Sequence, residues 1–86
     1  MPRISCFYGI VITMYFRDHN PPHFHATCGE YSAKIEIATG EAFEGRLPRR
    51  ATRLIRKWTA LHRSELEANW ELARSRKALA NIDPLP

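Results

Sequence analysis

Residues Asp18–Ala26 read DHNPPHFHA and hold His19, His23 and His25, three of the four histidines in the chain, beside Asp18 and the Pro21-Pro22 pair. Imidazole is the side chain whose ordinary proton affinity suits both taking and giving a proton near neutral pH. It is also a common ligand of transition metals. Three uses of the segment follow. As an acid–base site, one histidine deprotonates a ribose 2′-hydroxyl, another protonates the leaving oxygen, and an arginine stabilises the charged phosphorane, which is metal-free RNA cleavage. As a metal site, His23 and His25 supply two ligands from one strand and His19 or Asp18 a third, a spacing less specific than Cys-x-x-Cys or His-Glu-x-x-His. As a stiff turn, the segment carries solvated histidines bonded to nearby backbone or to a partner protein.

A strand must carry the segment for either chemistry to work. Side chains two apart on a strand share a face, so His23 and His25 point one way and Phe24 and Ala26 the other. Phe24 belongs in the core, which sends both imidazoles out of it. His19 and Asp18 sit just across the proline turn and can reach the same patch. If the pair does acid–base work, replacing His23 or His25 with alanine is expected to cost roughly 10²–10⁴-fold in rate with little loss of stability.

The rest of the first half is also strand-like. Ile10, Ile12, Met14 and Phe16 alternate with Val11, Thr13 and Tyr15, and Tyr31, Ala33, Ile35 and Ile37 alternate with Ser32, Lys34 and Glu36. Such a period of two marks strands with one buried face. Gly9 breaks an earlier short strand or forms a bulge, and a short strand around Phe43 closes the set. From Pro48 the period changes to that of a helix. Ala51, Leu54, Ile55, Trp58, Leu61 and His62 make one face, and Ser64 with Glu67 matches a capping box that starts a second helix. The expectation is an α+β fold: an antiparallel four-stranded β-meander followed by two α-helices packed on one face. A single domain spans residues 1–78, and a loose C-terminal tail spans 79–86.

Composition narrows the function classes. The chain has 86 residues, enough for one core. No apolar run approaches the ~20 residues of a membrane-spanning helix. No secretory signal is evident, so a cytoplasmic protein with reduced Cys6 and Cys28 is expected, both cysteines acting as small buried hydrophobes. The net charge is +4, and seven of the thirteen Lys and Arg (Arg46, Arg49, Arg50, Arg53, Arg56, Lys57 and Arg63) fall in a stretch without Asp or Glu. Arg49, Arg50, Arg53, Arg56 and Lys57 are the candidate nucleic-acid contacts. A solvated basic face, an acidic partner protein, or pairing with Glu65, Glu67 and Glu71 are the alternatives.

The run ISCFYGIVITMYFRDHNPPHFHATCGEYSAKIEI, followed by GRLPRRATRLIRKWTALHRSELEANWELA, resembles the small prokaryotic family of domain of unknown function 4160 over nearly the whole chain. The motifs carrying the resemblance are Phe7-Tyr8-Gly9-Ile10, Asp18 through Ala26, Gly29-Glu30-Tyr31 and Asn69-Trp70. Members are described as candidate toxins of type II toxin–antitoxin modules. The resemblance therefore implies a bacterial cytosolic protein acting beside a cognate antitoxin-like partner encoded by a neighbouring gene. Joined to the reading of the residues themselves, this makes RNA the expected target, with His23 and His25 the catalytic acid–base pair, His19 and Asp18 orienting them, Arg49, Arg50 and Arg53 holding phosphate, and neither metal nor cofactor required. No membrane is involved, and the chain can form homo-oligomers. The rival is a non-catalytic module that binds a partner or a metal.

Overall fold

A computed structural model describes residues 2–86. The chain runs β1 (Arg3–Phe7), β2 (Ile10–Thr13), β3 (His23–Cys28), β4 (Tyr31–Glu36), β5 (Ala42–Arg46), α1 (Arg49–Leu61) and α2 (Arg63–Arg74). The α+β class and the antiparallel sheet are as expected. The sheet, however, has five strands in the order β1-β2-β3-β4-β5, where four were expected. The additional strand is β1. Tyr8 (φ 49) and Gly9 (φ 79) both adopt positive φ and turn the chain straight back into β2. This is the backbone form that tight hairpins favour, because its twist matches that of the flanking strands.

One face of the sheet is the core. Phe24 and Ala26 of β3, Ala33 and Ile35 of β4, and Ile10 and Ile12 of β2 are all buried there. Helix α1 lies across this face and buries Ala51, Ile55, Trp58 and Thr59. The Trp58 ring meets Phe7 at 5.3 Å and Phe24 at 5.6 Å between centroids. Full burial of a side chain such as Phe24 contributes roughly 2–3 kcal/mol.

Helix α2 does not share that position. It crosses the end of the sheet where β3 begins and β4 finishes. There the Arg63 Nε–H donates to the Ile37 carbonyl at 3.0 Å, and the Arg17 N–H to the Ala73 carbonyl at 3.2 Å. Trp70 of α2 sits in the same place, beside His23. The expected capping box is not formed: α2 starts after His62 with no side-chain cap, and His62 Nδ1 meets Glu65 Oε1 at 2.6 Å instead.

Two other expectations are corrected by burial. Leu61 is 64% exposed rather than part of the apolar face of α1. Cys6 is exposed on β1, and Cys28 is half-buried. Residues 79–86, read from sequence as a tail, form no helix or strand, but they are held to the domain. The Ile82 N–H donates to the Ile4 carbonyl at 2.8 Å, Asn69 exchanges two hydrogen bonds with Ala80, and the Ile82 side chain is buried.

Candidate functional site

Strand β3 is central, paired on one side with β2 and on the other with β4. It therefore holds its side chains firmly. His23 and His25 point to the face opposite Phe24 and Ala26, as the alternation predicts. The connection from β2 must bring Asp18 back over this face. Arg17 does so in a left-handed conformation (φ 54), with its N–H tied to α2. The Asn20–Pro21 peptide is cis.

The result is a cluster around one carboxylate oxygen. Asp18 Oδ2 lies 3.0 Å from His23 Nε2 and 3.1 Å from His25 Nε2. Its other oxygen, Oδ1, accepts the His19 backbone N–H at 2.8 Å. His23 Nδ1 is 2.7 Å from the Pro21 carbonyl. A carbonyl can only accept, so His23 Nδ1 carries a proton and donates it.

The two imidazoles differ in access. His23 is 2% exposed, with Trp70 and Phe43 each at 5.3 Å between ring centroids. The His25 side chain keeps 22% of its surface exposed and stands edge-on to Tyr15 at 4.3 Å. It opens on a shallow depression of about 400 Å³ lined by Tyr15, His25, Thr27, Lys34 and Glu44. Lys34 Nζ and Glu44 Oε2 are 3.3 Å apart on its wall.

Burial pushes the Asp18 carboxyl up. The hydrogen bonds from His25 and from the His19 N–H, with the charges of His23 and His25, outweigh it, and the carboxyl ends below its ordinary value. Asp18 is thus a carboxylate at neutral pH.

Of the four residues expected to carry the chemistry, the structure brings together Asp18, His23 and His25. His19 contributes its backbone; its ring is exposed and outside the cluster. Tyr15, Phe43 and Trp70 shape the site and were not assigned to it from sequence. A signal existed for Tyr15. The β2–β3 register pairs Thr13 with His25, so Tyr15, two residues on, shares the histidine face. Nothing local to Phe43 or Trp70 announces their contact with His23.

The basic residues lie elsewhere. Arg49, Arg50, Arg53, Arg56 and Lys57 are exposed on α1. Because α1 covers the Phe24 face, the sheet separates them from the histidines. Arg50 reaches the Tyr8 carbonyl at 3.5 Å, and Arg56 lies 3.6 Å from Glu41. Two of the three glutamates of α2 pair elsewhere, Glu65 with His62 and Glu71 with Arg74.

Fold and site together define a class: a small α+β domain with an open-faced antiparallel meander and an Asp–His–His cluster at one end of its open face. The chain belongs to the family described as Domain of unknown function (DUF4160), whose model matches residues 9–71. That span includes β2 to β5, the Asp18–Ala26 segment, α1 and most of α2. No curated protein and no solved structure matches the chain. Among the described residues, no helix is long and apolar enough to cross a membrane.

Proposed function

We propose that this chain is the toxin-type member of a bacterial toxin–antitoxin pair and that it acts on RNA at the Asp18–His23–His25 cluster. The observation that carries the reading is a carboxylate oxygen flanked by two imidazole nitrogens at 3.0 and 3.1 Å, one of those rings opening on a surface depression. A carboxylate so placed orients an imidazole and supports charge on it. His25 is the ring that a substrate can touch. The net charge of +4 and the uncovered bases of α1 favour a polyanion. Lying across the sheet from His25, those bases suit remote stretches of an RNA backbone. At the depression itself the cation is Lys34.

The test is expression of the chain alone and together with the protein encoded beside it, with RNA decay followed for the purified chain and its His25→Ala variant. The expected result is growth arrest alone, rescue by the partner, and decay slowed roughly 10²-fold or more by the substitution. Arrest and decay that both survive His25→Ala would remove the site from the reading. A chain that neither arrests growth nor cleaves RNA would remove the reading itself.

A further inference from the structure

We infer that Asp18 Oδ2, His23 Nε2 and His25 Nε2 form a binding site for one divalent transition-metal ion. The inference goes beyond action on RNA, since it concerns binding alone and holds whatever the substrate. The three donor atoms lie within 4.8 Å of one another. The two separations from the carboxylate oxygen, 3.0 and 3.1 Å, are those of ligands at right angles around an ion, because bonds of about 2.1 Å at 90° put adjacent donors about 3.0 Å apart.

The surroundings of these atoms point the same way. The His23 Nδ1–H donates to the Pro21 carbonyl, which fixes the tautomer that leaves a lone pair on Nε2. The His19 N–H holds Asp18 Oδ1, which turns Oδ2 inward. Both are the kind of outer contact that orients metal ligands in proteins. Both imidazoles aim Nε2 at the single oxygen Asp18 Oδ2, and the buried His23 ring is held in place between Trp70 and Phe43. One ion at this point engages all three donors at once.

Ligand chemistry sets the class of ion. Two imidazoles and one carboxylate suit zinc, iron(II) or manganese(II) better than calcium or magnesium, which prefer oxygen shells. Three protein ligands leave positions open, the pattern of sites that bind water or substrate. The exposed edge of His25 puts the depression beside those positions. One carboxylate against a doubly charged ion leaves the centre positive and therefore attractive to an anionic oxygen.

The experiment uses the full chain without a polyhistidine tag, stripped with chelator and equilibrated with zinc, manganese(II) or iron(II) in turn. Bound metal is measured by elemental analysis, affinity by calorimetry and stability by thermal unfolding. The expected result is one ion per chain, a rise in Tm, and affinity lowered about 10²-fold or more in His25→Ala and in Asp18→Asn. Both variants alter partly exposed groups and leave the core intact. His19→Ala is expected to bind within about twofold of the unaltered chain, because its ring is no ligand. Binding well below one equivalent, or equal affinity for the unaltered chain and His25→Ala, overturns the site. No RNA enters these measurements, so an ion bound without RNA decay, or chelator-resistant decay without an ion, tells the two readings apart.

Discussion

His23 and His25 hang from one face of β3 and touch the same oxygen, yet only His23 belongs to the core. Its ring fills space between Trp70 and Phe43, and its Nδ1–H satisfies a carbonyl. Removing it leaves a cavity and an unpaired acceptor. His23→Ala should therefore cost about 2–4 kcal/mol of stability, while His25→Ala should cost less than about 1 kcal/mol. Urea unfolding of the two variants, stripped of metal, measures both. Comparable losses would mean that His25 is as much a packing residue as His23. The sequence expectation that either substitution spares the fold holds for one of the pair only on this account. Alternation places both rings on the outer face but says nothing of what a distant helix lays over one of them.

At the scale of elements, the parts legible from sequence are those where one period persists. Strands β2 to β4 read clearly because buried apolar residues recur at every second position along them, Ile10 and Ile12, Phe24 and Ala26, Ala33 and Ile35. Strand β1 is harder. A register shift between Arg3 and Ser5 breaks the alternation, so Ile4 and Ser5 are both buried in succession. Strand β5, expected around Phe43 and found there, is exposed at every position and has no buried stripe to hold it. Its placement depends instead on Gly45, which adopts φ +81 opposite Ala33. A Cβ at this position would stand 2.4 Å from the Ser32 carbonyl oxygen, a backbone atom with little room to move. Gly45→Ala is thus expected to combine an unfavourable left-handed conformation with a clash and to lower stability by roughly 1–3 kcal/mol. Hydrogen exchange should show the loss concentrated in β4–β5 amides. Unchanged protection there would mean that the edge strand relaxes without harm. The assembly of the candidate site was legible in part for a related reason. The turn made by Pro21-Pro22 and the strand after it are local, so Asp18 could be placed within reach of both imidazoles. The walls contributed by Phe43 and Trp70 come from β5 and α2, far along the chain, and Tyr15 comes from the start of the β2–β3 connection.

For the whole molecule, the sheet is a partition. His23, His25, Lys34 and Glu44 occupy one side, and the arginines of α1 the other. An RNA contact through α1 and chemistry at His25 are therefore separable. Replacing Arg49, Arg50 and Arg53 together with alanine should weaken RNA association and flatten its salt dependence by up to about three counterions. Metal affinity at the histidine cluster should stay as it was. Filter binding across a salt series, with calorimetry on the same protein, reports both quantities. An unchanged salt slope would assign the basic face to solvent or to a protein partner. The fold should survive, since all three side chains are exposed.

The partition has a seam. The Trp58 Nε1–H, from the centre of the core, donates to the Asp83 carbonyl at 2.8 Å, and the Tyr8 hydroxyl donates to the Pro86 carbonyl at 2.8 Å. Ile82 anchors the same segment to Ile4, 78 residues earlier in the chain. The segment has no helix or strand of its own and is held by the buried Ile82, the half-buried Leu79 and Leu85 and these few hydrogen bonds. With few contacts and no strand ladder, it is expected to open before the sheet does, and hydrogen exchange at the Ile82 amide checks this. Such an opening would bring water to the edge of the Trp58 indole while the sheet beneath stayed paired, and a tryptophan emission shift without loss of sheet signal would report it.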